Sequence, residues 1–462
     1  MNRSIIVNSV EAFLPKGTGI KTFSRSLIAA LAGCTPNSVN LLISTSSKKA
    51  SNPIVSSNII HQHRKLGRLE KLITALKIKT SCLLEPSWLP SKALIKEVEV
   101  TDPLRLPTLE KVYGELLGFD PGLKIDSYEK CSHGFVYASQ IFQNALPRFK
   151  LNRRLTHLRL PRNMRLSGNP VYFHSPLPYP ILLDKCANIT TIHDIIPITH
   201  SALCLDDPEY WYDLVASLLR SCDAIHCISH HTARGVEKFF GSQASSKLFV
   251  AHQPINLGHV TPEFEANSLL ELRSSYEKSH AGQRYILQIG AVEPKKNHQT
   301  TIEAFQLLRK EYPSLRLVVL GKSGWLSEDL CNYLARASPE GIEWVRAASY
   351  GSLVRYLRHA SAVVFPSIVE GWGLPPLEAM SYGVPVVASP IEPCKEALGQ
   401  APLYMDDPSD AWSLAEHLRN ILANADLAAE LVSNGFARAK LYSHSTFAAH
   451  LSAAYAQIPA KN

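Results

Sequence analysis

No apolar run in this 462-residue chain reaches the ~18–20 residues that a membrane-crossing helix needs. Met1 to Val10 holds no basic region followed by an apolar block, so a secretory leader is not expected. Nine cysteines are scattered without C-x-x-C spacing, which argues against a zinc ribbon and against a disulfide framework. A reducing, cytoplasmic location is the expectation that follows. The chain has no G-x-G-x-x-G dinucleotide fingerprint, and it has neither an aromatic–basic RNA motif nor zinc-finger spacing. Nucleic acid is therefore not an expected partner. The charge excess is small, with 48 Lys and Arg against 40 Asp and Glu, a net +8. Such a balance suits phosphorylated ligands or a peripheral touch on anionic lipid.

What is present is a soluble composition, 45% hydrophobic, at a length that exceeds one ordinary core. Two domains are expected. Short apolar runs alternate with amphipathic patterns in both halves, the signature of an α/β chain with parallel sheets. In the N-terminal half, strands are expected at Ser4 to Val7, Leu41 to Thr45, Val171 to Phe173, Ile189 to Ile192, Ala224 to Ile228 and Leu248 to Ala251. The rhythm pauses in the polar stretch Asn256 to Gln283, where the domain connection is placed. It resumes with strands at Tyr285 to Ile289, Leu315 to Leu320, Ile342 to Val345 and Ala362 to Phe365. The expected boundaries are residues 1–265 for the first domain and 275–440 for the second. A last helix is expected within 445–460.

The most informative stretch is Ser367 to Ser389, S-I-V-E-G-W-G-L-P-P-L-E-A-M-S-Y-G-V-P-V-V-A-S. It follows a buried strand pattern and places Glu370, Gly371 and Gly373 in a turn. Pro375 and Pro376 suit the first turn of a helix, and Gly383 suits its stop. A loop at the carboxyl end of a parallel strand faces the crevice where α/β sheets bind ligands. Glycine allows close backbone approach, and free helix N–H groups attract anions. A tight turn with two exposed glutamates, Glu370 and Glu378, is the other reading of the same pattern. Upstream, Glu293-Pro294-Lys295-Lys296-Asn297 puts two lysines at a strand end, where they suit either a diphosphate or solvent.

Other candidates stay open on residue patterns alone. Gly17-Thr18-Gly19 precedes the first helix and reads as a phosphate-side loop or simply as the first βα turn. His193 ends a strand, where an imidazole can bond a sugar hydroxyl and titrate near neutrality, with Asp194 to orient it. It can equally satisfy a loop carbonyl. The basic segment His61 to Lys79 has helical leucine spacing and fits a surface helix or an anionic membrane face. Arg148 to Arg165 is the most basic stretch, a solvated face or a site for lipid phosphates or an acidic acceptor.

These motifs together resemble retaining glycosyltransferases of family 4. The resemblance rests on E-P-K-K-N, F-P-S-x-x-E-G-W-G-L-P-x-L-E-A-M-x-x-G-x-P-V-V-A-S, T-I-H-D-I-I-P and C-I-S-x-x-T. The His193-Asp194-x-Ile196-Pro197 form is similar to bacterial members that build surface polysaccharides, many of them mannosyltransferases. The resemblance covers most of residues 1–45 and 170–456 and is poor across about 50–165, which looks like an enlarged acceptor-side region. It implies a GT-B architecture, two Rossmann-like doubly wound domains facing across a cleft, with the last helix packing back on the first domain. It further implies transfer of a hexose, mannose ahead of others, from GDP-mannose or a UDP-sugar to a saccharide or lipid-linked saccharide. No cofactor or metal is implied, and the chain has no D-x-D element; Asp206-Asp207 and Asp406-Asp407 read as loop or cap residues.

Residue by residue, the resemblance implies that Glu378 binds the ribose, Glu370 contacts the donor sugar, and Gly371, Gly373 and Leu374 meet the phosphates. Lys296 would stabilise the leaving diphosphate beside Lys295, which stands where relatives often have arginine. His193 would contact the sugar, and Gly17 and Gly19 would line the phosphate side. Ala291 and Arg346 depart from the family's usual residues near the base, and Trp372 replaces a common phenylalanine. Two further functions share these motifs: a GT-B nucleotide-sugar epimerase and a non-catalytic nucleotide-sugar-binding subunit.

Overall fold

The structure is a computed structural model that describes residues 4–8, 19–34, 39–45, 96–98, 134–139, 141–159, 170–255, 284–459 and 461. The basic segment 61–79 and the connection 256–283 lie outside the described residues. Among those described, no helix is long and apolar enough to cross a membrane.

The first sheet is built from β1 (Ser4–Asn8), β2 (Val39–Thr45), β3 (Lys96–Val98), β4 (Gly134–Ser139), β6 (Val171–Ser175), β8 (Ala187–Ile192), β9 (Ala224–Cys227) and β10 (Leu248–Val250). Its order is β10-β9-β8-β6-β1-β2-β4-β3, parallel except for the edge strand β3. A separate parallel pair joins β5 (Thr156–Arg159) to β7 (Ile181–Asp184). Helices α1 (Gly19–Cys34), α2 (Ile141–Asn152), α3 (Ile196–Thr199), α4 (Pro208–Ser221) and α5 (His230–Phe240) accompany these strands. All six residues of β8 are buried, as a strand covered on both faces requires. Asp207 caps α4 through the Glu209 and Tyr210 N–H groups, with Pro208 in its first turn.

The second sheet holds β11 (Tyr285–Ile289), β12 (Arg316–Leu320), β13 (Ile342–Val345), β14 (Ala362–Phe365), β15 (Val386–Ala388) and β16 (Leu403–Tyr404). All of its pairs are parallel, in the order β13-β12-β11-β14-β15-β16. That is the doubly wound arrangement, which reverses direction between β11 and β14. Its helices are α6 (His298–Arg309), α7 (Glu328–Leu334), α8 (Tyr350–Arg358), α9 (Leu374–Ser381), α10 (Glu392–Leu398), α11 (Ala411–Ala423) and α12 (Ala425–Lys440). Gly383 ends α9 in the left-handed region, φ +73°, and a Cβ there would sit 2.9 Å from the Phe436 ring.

The final helix, α13 (His444–Gln457), lies against α1 of the first domain. Phe447 meets Phe23 at 6.0 Å between ring centroids, and the Cys34 thiol donates to the Ala448 carbonyl at 3.2 Å. One apolar cluster runs from Ile5, Phe23 and Tyr172 through Phe447 and Tyr455 to Trp372, Val363 and Val386. The two sheets therefore share a core.

A buried polar chain pins α13 to the first sheet. The His226 Nε2–H donates to the Ala251 carbonyl at 2.8 Å, which leaves its Nδ1 as an acceptor. The Thr191 hydroxyl donates to that Nδ1 at 3.2 Å and accepts from the His174 Nε2–H at 2.9 Å. The His174 Nδ1 then accepts from the Tyr455 hydroxyl at 2.7 Å. One carbonyl thus sets every tautomer along the chain. Burial holds both imidazoles neutral, with His226 lowered to about 3 and His174 well below the usual imidazole range.

Removing the Tyr455 hydroxyl strands a buried ring nitrogen. Tyr455→Phe is expected to destabilise the chain by about 1–3 kcal/mol, read from urea midpoints, while Tyr212→Phe, at an exposed tyrosine, leaves them unchanged.

Candidate functional site

The reversal between β11 and β14 leaves a crevice at the carboxyl ends of these strands. Two loops enter it. After β11, Pro294–Lys296 forms a single 3₁₀ turn, ended by Asn297 in the left-handed conformation at φ 51° and ψ 50°. Asparagine tolerates that region because its side chain bonds locally. Here its amide donates to the Pro408 carbonyl at 2.6 Å and accepts from the Thr300 hydroxyl at 3.0 Å. The Gln288 amide donates to the Lys296 carbonyl, and the Ile368 N–H donates to the Lys295 carbonyl, both at 2.8 Å. Both lysines are therefore held by backbone contacts that leave their ammonium groups available.

Those ammonium groups face the second loop. The Lys296 Nζ lies 2.5 Å from the Glu370 Oε1 and 5.2 Å from the Phe365 ring centroid. The Lys295 Nζ lies 3.5 Å from the Glu293 Oε1. Burial alone would lower the Lys295 pKa, but Glu370, Glu293 and Asp194 together raise it. The second loop feeds α9, whose N-cap is Gly373. Prolines at 375 and 376 carry no N–H, and the Leu377 N–H is taken by the Gly373 carbonyl. The helix start thus offers an anion the N–H of Leu374, with that of Gly373 just before it.

Glu378 stands one turn further along α9. It is partly exposed yet recessed, and burial raises its pKa to about 7. No hydrogen bond to its carboxylate is formed among the described residues.

The first domain presents His193 and Asp194, just after β8. The His193 Nε2–H donates to the Pro176 carbonyl at 2.9 Å, and the ring edge meets Phe23 at 4.6 Å. Its Nδ1 is therefore an acceptor. Burial lowers its pKa to about 4, partly offset by the Pro176 carbonyl, so the ring is neutral at physiological pH. Titration near neutrality does not hold for this residue, nor does orientation by Asp194. The Asp194 carboxyl instead accepts from the Ile196 N–H at 3.0 Å at the start of α3, and burial raises its own pKa.

The two domains touch at this point. A Cβ on Gly371 would lie 2.4 Å from the His193 carbonyl oxygen and 2.8 Å from the Asp194 Cβ. The Ser229 hydroxyl donates to the Gly371 carbonyl at 2.9 Å, and the Thr232 hydroxyl donates to the His193 carbonyl at 3.0 Å. The structure thus brings His193, Asp194, Lys295, Lys296, Glu370 and Gly371 together. Gly17 lies outside the described residues, and Gly19 opens α1 one turn before Phe23. Ser229 and Thr232 were visible as the S-x-x-T of C-I-S-x-x-T, but that pattern carries no hint of a partner loop 142 residues away. Arg346 stacks on Trp344, 4.3 Å from the ring centroid. Arg153, in the basic stretch, is paired with Asp213.

Residues 274–438 match the family described as "Glycosyl transferases group 1". The chain is 37% identical over 170 residues to O-antigen chain mannosyltransferase B of Escherichia coli, covering 35% of this chain and 43% of that protein. It is 27% identical over 271 residues to the serotype-specific mannosyltransferase WbdA of Escherichia coli, covering 57% of this chain and 32% of that protein. The chain thus spans less than half the length of these curated relatives. Its fold is that of HepE from Anabaena, solved in complex with UDP, with a TM-score of 0.54 at 12% identity over 99% of this chain and 100% of that one. This is the GT-B arrangement of two Rossmann-like domains.

Gly371→Ala is expected to force the domains apart, seen as a larger radius of gyration by small-angle X-ray scattering with each domain still folded. Glu378 holds its proton more tightly folded than unfolded, so its contribution to stability is lost as pH rises from 4.5 through about 7. Glu378→Gln is expected to gain up to about 3 kcal/mol near pH 8 and little below about pH 4.5, measured by urea unfolding at both pH values.

Proposed function

Taking residues 274–438 as a glycosyl transferases group 1 domain set in a GT-B fold, we propose that this chain is a retaining glycosyltransferase. It moves a hexose, mannose first, from a nucleotide sugar to a saccharide or lipid-linked saccharide of a growing surface polysaccharide. The observation that carries the proposal is the Lys296–Glu370 pair at the switch-point crevice, closed over by the His193 segment of the other domain.

In this reading the nucleotide lies along the second domain. The Glu378 carboxylate, short of donors, accepts hydrogen bonds from the ribose hydroxyls, and these bonds favour its ionised form. The diphosphate meets Lys295, Lys296 and the N–H groups of Gly373 and Leu374. The sugar extends toward the first domain, where Glu370 and the acceptor Nδ1 of His193 accept hydrogen bonds from its hydroxyls. A neutral imidazole suits that task, since a protonated one could only donate.

As the anomeric bond to the diphosphate breaks, the carbon gains oxocarbenium character and the leaving oxygens gain charge. Fixed lysines and backbone N–H groups already face that charge, so little reorganisation is needed. The acceptor hydroxyl then attacks from the face the diphosphate leaves, and the diphosphate takes its proton. The names of the sequence relatives support mannose as the sugar moved, for which GDP-mannose is the donor proposed first, and HepE, solved in complex with UDP, supports a UDP-sugar as the other donor.

Lys296→Ala is expected to lower kcat for sugar transfer by about 10²–10³-fold, and Glu378→Ala to raise the KM for the donor. A thermal-shift screen of GDP-mannose, UDP-glucose and UDP-N-acetylglucosamine is expected to single out one donor. Parental transfer rates in both variants would refute the site assignment. Conversion of donor without acceptor would make the protein an epimerase, and donor binding without turnover a binding subunit.

A further inference from the structure

Away from the donor crevice, one group of side chains among the described residues has the composition and spacing of a metal site. His230, His252 and Glu396 each present a ligating atom, and these atoms all lie within 4.8 Å of one another. His230 opens α5 and His252 follows β10, both in the first domain, while Glu396 lies on α10 in the second. We propose that these three residues bind one divalent transition-metal ion, Zn²⁺ by preference, which clamps the two domains together.

The contacts around the cluster support this. The His252 Nε2 and Glu396 Oε1 already meet in a hydrogen bond at 3.0 Å, whose proton the ion would replace, and a small opening of the pair brings it to the separation of two ligands on one tetrahedral ion with bonds of ~2.0–2.2 Å. The His252 ring is fixed by stacking on Trp372 at 4.7 Å and 18°, and Tyr442 meets it edge-on at 5.7 Å. Glu396 is fixed by the backbone, its two oxygens accepting from the His230 and His231 N–H groups at 2.6 and 2.7 Å. Two ligands are thus aimed in advance, and their outer partners hold them in place. The His230 ring is exposed, with its centroid 5.5 Å from that of His252. A turn of this free ring completes a His₂Glu set open to solvent, with a fourth position for water.

Two imidazoles and one carboxylate suit Zn²⁺, and by the same ligand chemistry Co²⁺ or Ni²⁺, rather than the oxygen-seeking Mg²⁺ or Ca²⁺. Binding through Nε2 needs His252 in the tautomer with its proton on Nδ1. Trp372 belongs to the Glu370–Gly373 loop, so an ion on His252 also braces that loop.

The test uses the whole chain freed of metal with chelator. Isothermal calorimetry with ZnCl₂ is expected to show one ion per chain, accompanied by a rise in unfolding temperature, and MgCl₂ is expected to show neither. His230→Ala removes a ligand without touching the interdomain contacts. It should keep the parental unfolding temperature in chelator yet lose more than about tenfold in Zn²⁺ affinity. Glu396→Gln should lose affinity as well. The proposal is overturned if Zn²⁺ does not bind one to one, if His230→Ala binds it as tightly as the parent, or if Mg²⁺ does as well.

Discussion

The near-contact between Gly371 and the His193 carbonyl governs how this molecule is put together. At 2.4 Å from an added Cβ, the gap admits hydrogen and nothing larger. Two hydroxyls, from Ser229 and Thr232, hold the carbonyls on either side of it. Because Gly371 directly follows Glu370, the same contact sets where the carboxylate stands relative to His193. The Lys296 ammonium is fixed in turn by Glu370. The lysine–glutamate pair of one domain and the imidazole of the other thus share one geometric reference, a glycine packed on a carbonyl.

Charge in the cleft is set by burial as much as by composition. His193 is neutral because it is buried and its Nε2–H is committed to Pro176. Glu378 is reluctant to ionise because it is recessed, with no hydrogen bond to its carboxylate among the described residues. Lys295 stays protonated because three carboxylates outweigh its burial. Each of these states suits the ligand of the proposed function, rich in hydroxyls and phosphate: a hydrogen-bond acceptor for hydroxyls, a carboxylate awaiting donors, and a cation for phosphate. The prolines at 375 and 376 narrow the anion site at the start of α9 to the N–H groups of Leu374 and its neighbour Gly373. Under the proposed function, the burden of neutralising a diphosphate shifts accordingly to the two lysines.

Much of the fold was legible in the sequence. The apolar runs at 285–289, 342–345 and 362–365 are strands with those bounds. Strong periodicity, prolines at helix starts and glycines at stops act within a few residues and need no tertiary help. Less legible were β7, the helix α2 with Pro147 inside it, and the short helix α10. Their patterns are brief or contradictory, and long-range pairing overrides them. α10 is the costliest of these omissions, because it carries Glu396 to the domain interface.

The chain alone marked the candidate residues for chemistry, since lysine pairs, spaced glutamates and glycine turns are local features. It also determined the doubly wound rhythm, because alternating strand and helix patterns leave little choice but parallel sheets. Only the tertiary structure decided that Glu370 pairs with Lys296 across 74 positions, that the Asp194 carboxyl takes the Ile196 N–H rather than steering His193, and that His193 is neutral. Only the fold brought Glu396 onto the start of α5, 166 positions away from His230. Ionisation and pairing depend on what surrounds a group in space, and that surrounding comes from distant segments meeting, which no local pattern encodes.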